Sequence, residues 1–214
     1  MMIEIVDLRF EYSDSDFEFN LPELRVGDGE RVALVGPSGT GKTTLLNLIA
    51  GILPCQHGSL VVAGQRLHDM SDASRRAFRV SQLGLVFQDF ELLEYLNTEE
   101  NILLEYFIHR QLQLNSQVRQ RAKELAESTG IGTHLRRSVQ KLSHGERQRV
   151  AICRAMMTKP QVVLADEPTA NLDFKNKQHI VELLIDHVEA SGATLVVVTH
   201  DSEIVSRFDR TIEL

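Results

Sequence analysis

Short apolar runs alternate with amphipathic stretches along this chain, and the change of period marks its elements. Residues 31–35, 83–87, 161–167 and 193–198 are apolar runs bounded by polar or glycine positions, the pattern of buried strands. Residues 58–63 read as another strand. Residues 2–10 and 17–19 alternate instead, around a polar turn at 13–16 and ahead of a Gly27-Asp28-Gly29 turn, and this predicts antiparallel β structure beside the core. Helical spacing appears at 44–50, with Gly51 as its stop, and in a short stretch opening at Ser71. It returns at 98–110, at 116–129, from 142 onward, and at 175–190. Thr98 is the expected cap of the first of these, with Glu99 and Glu100 in its opening turn. Val118, Ala122, Leu125, Ala126 and Thr129 line one face of the second, which Gly130 and Gly132 end. Residues 210–214 look like a closing strand.

Strand and helix therefore alternate in the α/β manner, interrupted by a helical stretch of about 60 residues that is longer than an ordinary connection and reads as an inserted lobe. At 214 residues the chain suits one such domain, and 43% hydrophobic content is ordinary for a globular core. A net charge of -7 does not favour a nucleic-acid partner, which usually meets a basic face. Cys55 and Cys153 are far apart with no C-x-x-C spacing, and read as free thiols in a reducing compartment, Cys153 as packing in an apolar helix. The first residues have no basic region followed by an apolar core, so no signal peptide is expected. No apolar run approaches membrane-spanning length, so any membrane role must come through a partner.

The chemistry centres on Gly36-Pro37-Ser38-Gly39-Thr40-Gly41-Lys42-Thr43-Thr44, which fits G-x-x-x-x-G-K-[ST] and sits between a strand and a helix. Glycines let the backbone turn tightly and approach a ligand, so that successive N–H groups form an anion nest at a helix's positive end. Lys42 supplies a point charge for outer phosphates, and Thr43 a hydroxyl for Mg²⁺.

Three polar sites follow buried strands, the address at which open α/β sheets place their ligands. Gln88 ends the strand at 83–87 and could reach Mg²⁺ or an attacking water, or be a plain loop residue. Asp166 and Glu167 end the strand at 161–167; side chains alternate along a strand, so the two should point different ways, one to Mg²⁺ through water and one to a nucleophile. Thr199-His200-Asp201 ends the strand at 193–198; a lone His is usually structural, but this address could equally bring His200 to a γ-phosphate. Ser143 and Glu146 make a capping box; a Ser hydroxyl and the Gly145 N–H at the same helix tip would equally make an anion site, and spacing alone does not separate the two. Tyr12, at a strand end, could stack on adenine or pack on the sheet rim. Arg75, Arg76 and Arg79 have the spacing of a solvated face. Residues 89–96 are apolar without a clear period, either buried locally or an exposed docking patch.

The order of Lys42, Gln88, Leu142-Ser143-His144-Gly145-Glu146, Asp166-Glu167, Asn171-Leu172-Asp173 and His200 resembles the nucleotide-binding subunits of ABC transporters over essentially the whole chain. The resemblance implies one ATP-binding domain over 1–214, a P-loop NTPase core of RecA type with an antiparallel β subdomain and a helical subdomain at approximately 90–158. It implies ATP and Mg²⁺ as cofactors, held by the loop, Lys42, Thr43 and Asp166, with Glu167 as general base, Gln88 as sensing loop, His200 on the γ-phosphate and Tyr12 on adenine. It further implies a homodimer with each ATP between one loop and the partner's Ser143 and Gly145, and with Asp173 at the seam. The usual signature has Gly where this chain has His144, and often Gln where it has Glu146; His144 brings bulk, and charge when protonated, close to a phosphate.

Residues 87–101 and 167–173 resemble most the branch containing the lipoprotein-release, macrolide-export and cell-division ATPases. That implies a peripheral position on the cytoplasmic face of the inner membrane, reached through a separate permease docking near residues 88–97. Export, lipoprotein release or mechanotransmission are the expected work. The rival is a regulatory ATPase that controls a cell-wall hydrolase without transport. A soluble ABC ATPase of DNA repair or translation would carry coiled-coil insertions or a second loop, and an unrelated P-loop kinase would leave Leu142–Glu146 and His200 without a task.

Overall fold

The computed structural model describes residues 1–14 and 17–214. Strands β1 (Ile3–Glu11) and β2 (Glu18–Val26) form a hairpin ahead of β3 (Arg31–Val35) and helix α1 (Lys42–Ile49). Ser15 and Asp16, part of the expected polar turn, lie outside the described residues. Strands β4 (His57–Val62) and β5 (Gln65–Arg66) follow, then helix α2 (Asp72–Gln82) and strand β6 (Leu83–Val86). A helical stretch holds α3 (Thr98–Ile102), α4 (Leu104–Ile108), α5 (Ser116–Ser128) and α6 (His144–Met156). The chain continues through β7 (Val162–Asp166), α7 (Phe174–Ser191), β8 (Thr194–Val198), α8 (Ser202–Val205) and β9 (Arg210–Glu213).

One sheet is antiparallel in the order β2-β1-β4-β5, and the other is parallel in the order β6-β7-β8-β3-β9. The two-residue period of the parallel strands divides their side chains between two cores. Val162, Leu164, Val196 and Val198 face α1 and the antiparallel sheet. Val163, Ala165, Leu195 and Val197 face α6 and α7 on the other side. A strand buried on both faces has to be apolar at every position, which is why these runs show no alternation. All carboxyl ends of the parallel strands open on one edge, and that edge carries the phosphate-loop motif, Gln88, Asp166-Glu167 and His200.

Four local expectations need correction. Thr98 is not the cap of α3: the Asn97 side chain accepts from the Glu100 N–H, the Glu100 carboxylate accepts from the Asn97 N–H, and the Thr98 hydroxyl donates to Arg137 O. Adjacent Asn and Thr are both good caps, and the residue with an acid three positions on forms the reciprocal box. The helix expected over 98–110 is two short ones, because the axis turns at Leu103 (φ −87°, ψ 4°). Ile102 and Leu103, at that turn, are both fully buried. The arginines of α2 are not all solvated. Arg75 Nε (3.1 Å) and Arg79 Nη1 (2.6 Å) both donate to Gly51 O, just past the C-terminal end of α1, where cations and donors are favoured. Only Arg76 is exposed, paired with Asp72. Finally, Glu167 does not continue the alternation of β7; it lies beyond the strand with φ +45°, and it lines the same cleft as Asp166.

Candidate functional site: a phosphate loop at a strand-end cleft

The loop after β3 turns on glycines that other residues could not replace. Gly36 has φ +150°, and a Cβ there would lie 2.5 Å from Leu214 O. Gly41 has φ +96° and precedes the first turn of α1; its Cβ would sit 2.4 Å from the buried Phe19 ring. The Gly41→Ala variant therefore combines a left-handed backbone with overpacking, about 3 kcal/mol together. At this chain length that should lower Tm by about 6–12 °C. Differential scanning calorimetry checks it, and an unchanged Tm would show that the loop can relax away from Phe19.

Lys42 Nζ donates to Gly36 O (2.9 Å) and Pro37 O (2.6 Å), so its ammonium lies along the inside of the loop. The Thr40 hydroxyl donates to Pro37 O at 3.1 Å. Tyr12 lies over the start of α1, its hydroxyl 3.1 Å from Thr44 Oγ1 and its ring edge-on to Phe10 at 4.8 Å.

A cleft of about 360 Å³ gathers Ser38, Gly39, Gly41, Lys42, Thr43, Thr44, Gln88, Asp166 and Glu167. It thus brings together residues from the ends of three parallel strands. Thr43 and Asp166 line this cleft together. Burial pushes the Asp166 pKa up, Glu167 adds to this, and Thr43 and Lys42 work against it. A carboxylate so placed gains from a further positive charge nearby. His200 Nδ1 is 2.7 Å from Glu167 Oε1, and the imidazole is largely exposed and does not line the cleft itself.

The remaining candidates line a second cleft of about 370 Å³, containing Ser143, Gly145, Asn171 and Asp173. Ser143 caps α6 through the Glu146 N–H (3.3 Å), and Glu146 returns the bond to the Ser143 N–H (2.7 Å). That bond is the main cause of the lowered Glu146 pKa. Asp173 caps α7 by accepting from the Asn176 N–H at 3.0 Å, and its pKa is lowered by that bond. The capping reading of Ser143 is thus realised, and the Gly145 N–H stands at the same helix tip.

Sequence reasoning passes over two parts of the site. Phe17 lines the first cleft, its ring against the position a Gly41 Cβ would take; the only signal is an aromatic just before a strand. Arg154 is almost fully buried and donates to the Phe90 and Glu91 carbonyls in the turn after Gln88. A contact made to backbone carbonyls leaves no partner residue in the sequence to reveal it.

A glycine nest with an inward lysine, opposed by two carboxylates at the ends of parallel strands, defines a P-loop nucleotide-hydrolysing site. The sequence model of the ABC transporter family matches residues 19–170, and the chain belongs to that family. The chain is 38% identical to the uncharacterized ABC transporter ATP-binding protein YbbA of Escherichia coli (strain K12), over all of this chain and 94% of that one. It is 41% identical to the lipoprotein-releasing system ATP-binding protein LolD of Xanthomonas campestris pv. campestris (strain 8004), over 90% of this chain and 80% of that one. Relatives named for lipoprotein release and for macrolide export place it in the branch its motifs imply. Among solved structures it matches the ATP-binding cassette MJ0796, a dimer in a post-hydrolysis state with ADP and Pi, at a TM-score of 0.89 and 32% identity over the whole chain and 94% of that one. The chain is accordingly an ATP-binding, ATP-hydrolysing subunit of the kind that powers a membrane permease. Among the described residues no helix is long and apolar enough to cross a membrane.

Proposed function

We propose that this chain is the motor of a permease complex at the cytoplasmic face of the inner membrane, working in export, lipoprotein release or mechanotransmission. The observation that carries the reading is the convergence of the phosphate loop, Gln88, Asp166 and Glu167 on one cleft. The 36–44 backbone and Lys42 hold the ATP phosphates, and Tyr12 stacks on adenine. A hydroxyl, a carboxylate and an amide oxygen form the all-oxygen donor set a hard cation takes, so Thr43, Asp166 and Gln88 would hold Mg²⁺. When bound, the ion would neutralise charge developing on the phosphates. Glu167 accepts the proton of the water that attacks the γ-phosphorus in line; the bond to ADP breaks, and ADP and phosphate leave. His200 keeps Glu167 oriented and contacts the γ-phosphate.

Two copies of the chain close head to tail over two ATP molecules. Each nucleotide then meets Ser143 and Gly145 of the opposite copy, with Asp173 at the seam. The dimeric state of the matched cassette supports this arrangement. We also treat residues 90–158 as a helical lobe of one domain. The permease is received at residues 88–97, beside a groove of about 340 Å³ whose walls include Phe87, Glu91, Glu105 and Ile108. Tyr95, 81% exposed, stands out from this segment although Phe90 is buried. The regulatory alternative gains no support, since the relatives carry transport and lipoprotein-release names. The net charge of -7 is the reason no nucleic-acid partner is proposed.

Affinity purification of the tagged chain from detergent-solubilised membranes should bring down a multi-spanning membrane protein in fixed stoichiometry. Tyr95→Ala should reduce that recovery at least fivefold. Recovery of the chain alone, from membranes of its own source, would remove the permease from this reading.

A further inference from the structure

The turn after Gln88 is built against its own backbone preferences. Phe90 (φ +63°) and Glu91 (φ +49°) are both left-handed, and neither is glycine. Such residues persist only where their surroundings hold them. Here one face of α6 does so. His144, Arg147 and Arg154 fall within about 80° of arc on that helix. The His144 ring meets the Phe90 ring edge-to-face at 4.7 Å. The Arg147 guanidinium lies 5.9 Å over the centre of the same ring, and the buried Arg154 donates to the carbonyls of both Phe90 and Glu91. Three side chains over three turns of one helix therefore fix two consecutive residues of a turn.

From this geometry we infer that the Phe90–Glu91 turn and α6 move as one body, with His144 the positioning residue that ties the helix tip to the loop behind Gln88. The inference deepens the proposed function and rests on it, since it gives a route by which nucleotide at Gln88 sets the position of Ser143 and Gly145. It also gives His144 a task, at the position where the family's usual signature has glycine. A glycine offers no ring to Phe90. Burial, then the charge of Arg147, lowers the His144 pKa, which favours a neutral imidazole packed as an aromatic. Its Nδ1 is buried without a hydrogen-bond partner among the described residues, so no hydrogen bond of that nitrogen sets the ring's position. Phe87, Glu91 and Arg154 also line the groove beside residues 88–97, so a partner seated there would press on the same body.

Amide hydrogen exchange of the full-length chain, at concentrations where it is monomeric, tests this. Peptides covering 87–93 and 142–150 are followed with and without a non-hydrolysable ATP analogue. In the parent, nucleotide should slow exchange in both. In His144→Ala the response at 87–93 should remain, while that at 142–150 falls at least threefold. His144→Phe, which keeps the ring edge and loses the nitrogens, should restore it. A purely structural role for His144 would change exchange without nucleotide but leave the nucleotide response of 142–150 intact. That result overturns the inference, as does a parent that binds nucleotide and responds at neither segment. A parent that binds no nucleotide would strike the proposed function instead. The clamp is then read from the nucleotide-free protein, where His144→Ala must speed exchange at 87–93 at least threefold; equal rates refute it.

Discussion

Replacing Glu167 by Gln should reduce ATP turnover roughly 10²–10⁴-fold while leaving ATP binding within about twofold of the parent, the range a positioned general base contributes. In barrier terms this is about 3–5 kcal/mol. The substitution is isosteric. The introduced amide can keep a hydrogen bond to His200, which lies 2.7 Å from Glu167 Oε1, and the left-handed backbone at φ +45° is as tolerable for one residue as for the other. What is lost is the capacity to take a proton from water. Because Glu167 adds to the upward push on the Asp166 pKa, removing its charge should lower that pKa and keep Asp166 ionised. Binding should therefore survive, and the protein should accumulate in its ATP-loaded state. On the proposed head-to-tail closure that state is a dimer, so sedimentation velocity should show the variant doubling in mass with ATP and reverting when ATP is removed. Single-turnover hydrolysis measured beside it separates chemistry from product release. A rate within tenfold of the parent would move the base to another group.

The contrast between Glu167 and its neighbour shows how far the sequence reaches. The phosphate loop, the strand-end acids and the signature capping box are legible because their physics is local. Glycine at positive φ, a carboxylate after a buried strand and a Ser three residues before Glu each announce themselves within a few positions. The two sheets are legible too, since fully apolar runs and alternating runs demand different burial. Other features depend on contacts made far along the chain. Arg75 and Arg79 have helix-surface spacing, yet Gly51 O, 24 and 28 residues away, draws them inward. Arg154 has the spacing of a core-facing residue, and only its distant carbonyl partners explain why a charge is there, with its pKa lowered mainly by burial. The 89–96 segment has no readable period because Phe90 is held by α6 rather than by its own secondary structure, while Tyr95 is left outside. The expected divergence of Asp166 and Glu167 fails for a related reason: strand alternation applies only as far as the strand, and β7 ends at Asp166.

Lys42→Met should give the opposite phenotype to Glu167→Gln, with nucleotide binding lost before chemistry is reached. Methionine keeps an apolar stem of similar length and removes the charge. Charge-assisted bonds of an ammonium to phosphate contribute about 1.5–3 kcal/mol each in a partly desolvated site. Loss of about 2.7 kcal/mol corresponds to a roughly 100-fold rise in Kd. The loop itself should remain folded. Lys42 Nζ now bonds the Gly36 and Pro37 carbonyls, but that part of the loop is only half-buried, so water can take the place of the ammonium. Its shape is set instead by glycine torsions, among them Gly36 against Leu214 O. The nucleotide-free Tm of the variant should accordingly stay within about 3 °C of the parent. The ligand-induced shift is then the decisive reading. At an ATP concentration of about 100 times the parent Kd, binding stabilises the parent by about 2.7 kcal/mol, and the same concentration stabilises the variant by only about 0.4 kcal/mol. For a chain of this length that is a fall from about 8 °C to about 1 °C in the ATP-dependent Tm shift. Glu167→Gln should retain the full shift under the same conditions. Should both variants keep it, the ammonium contributes nothing to holding the phosphates, and the anion nest of backbone N–H groups would have to bind the nucleotide unaided.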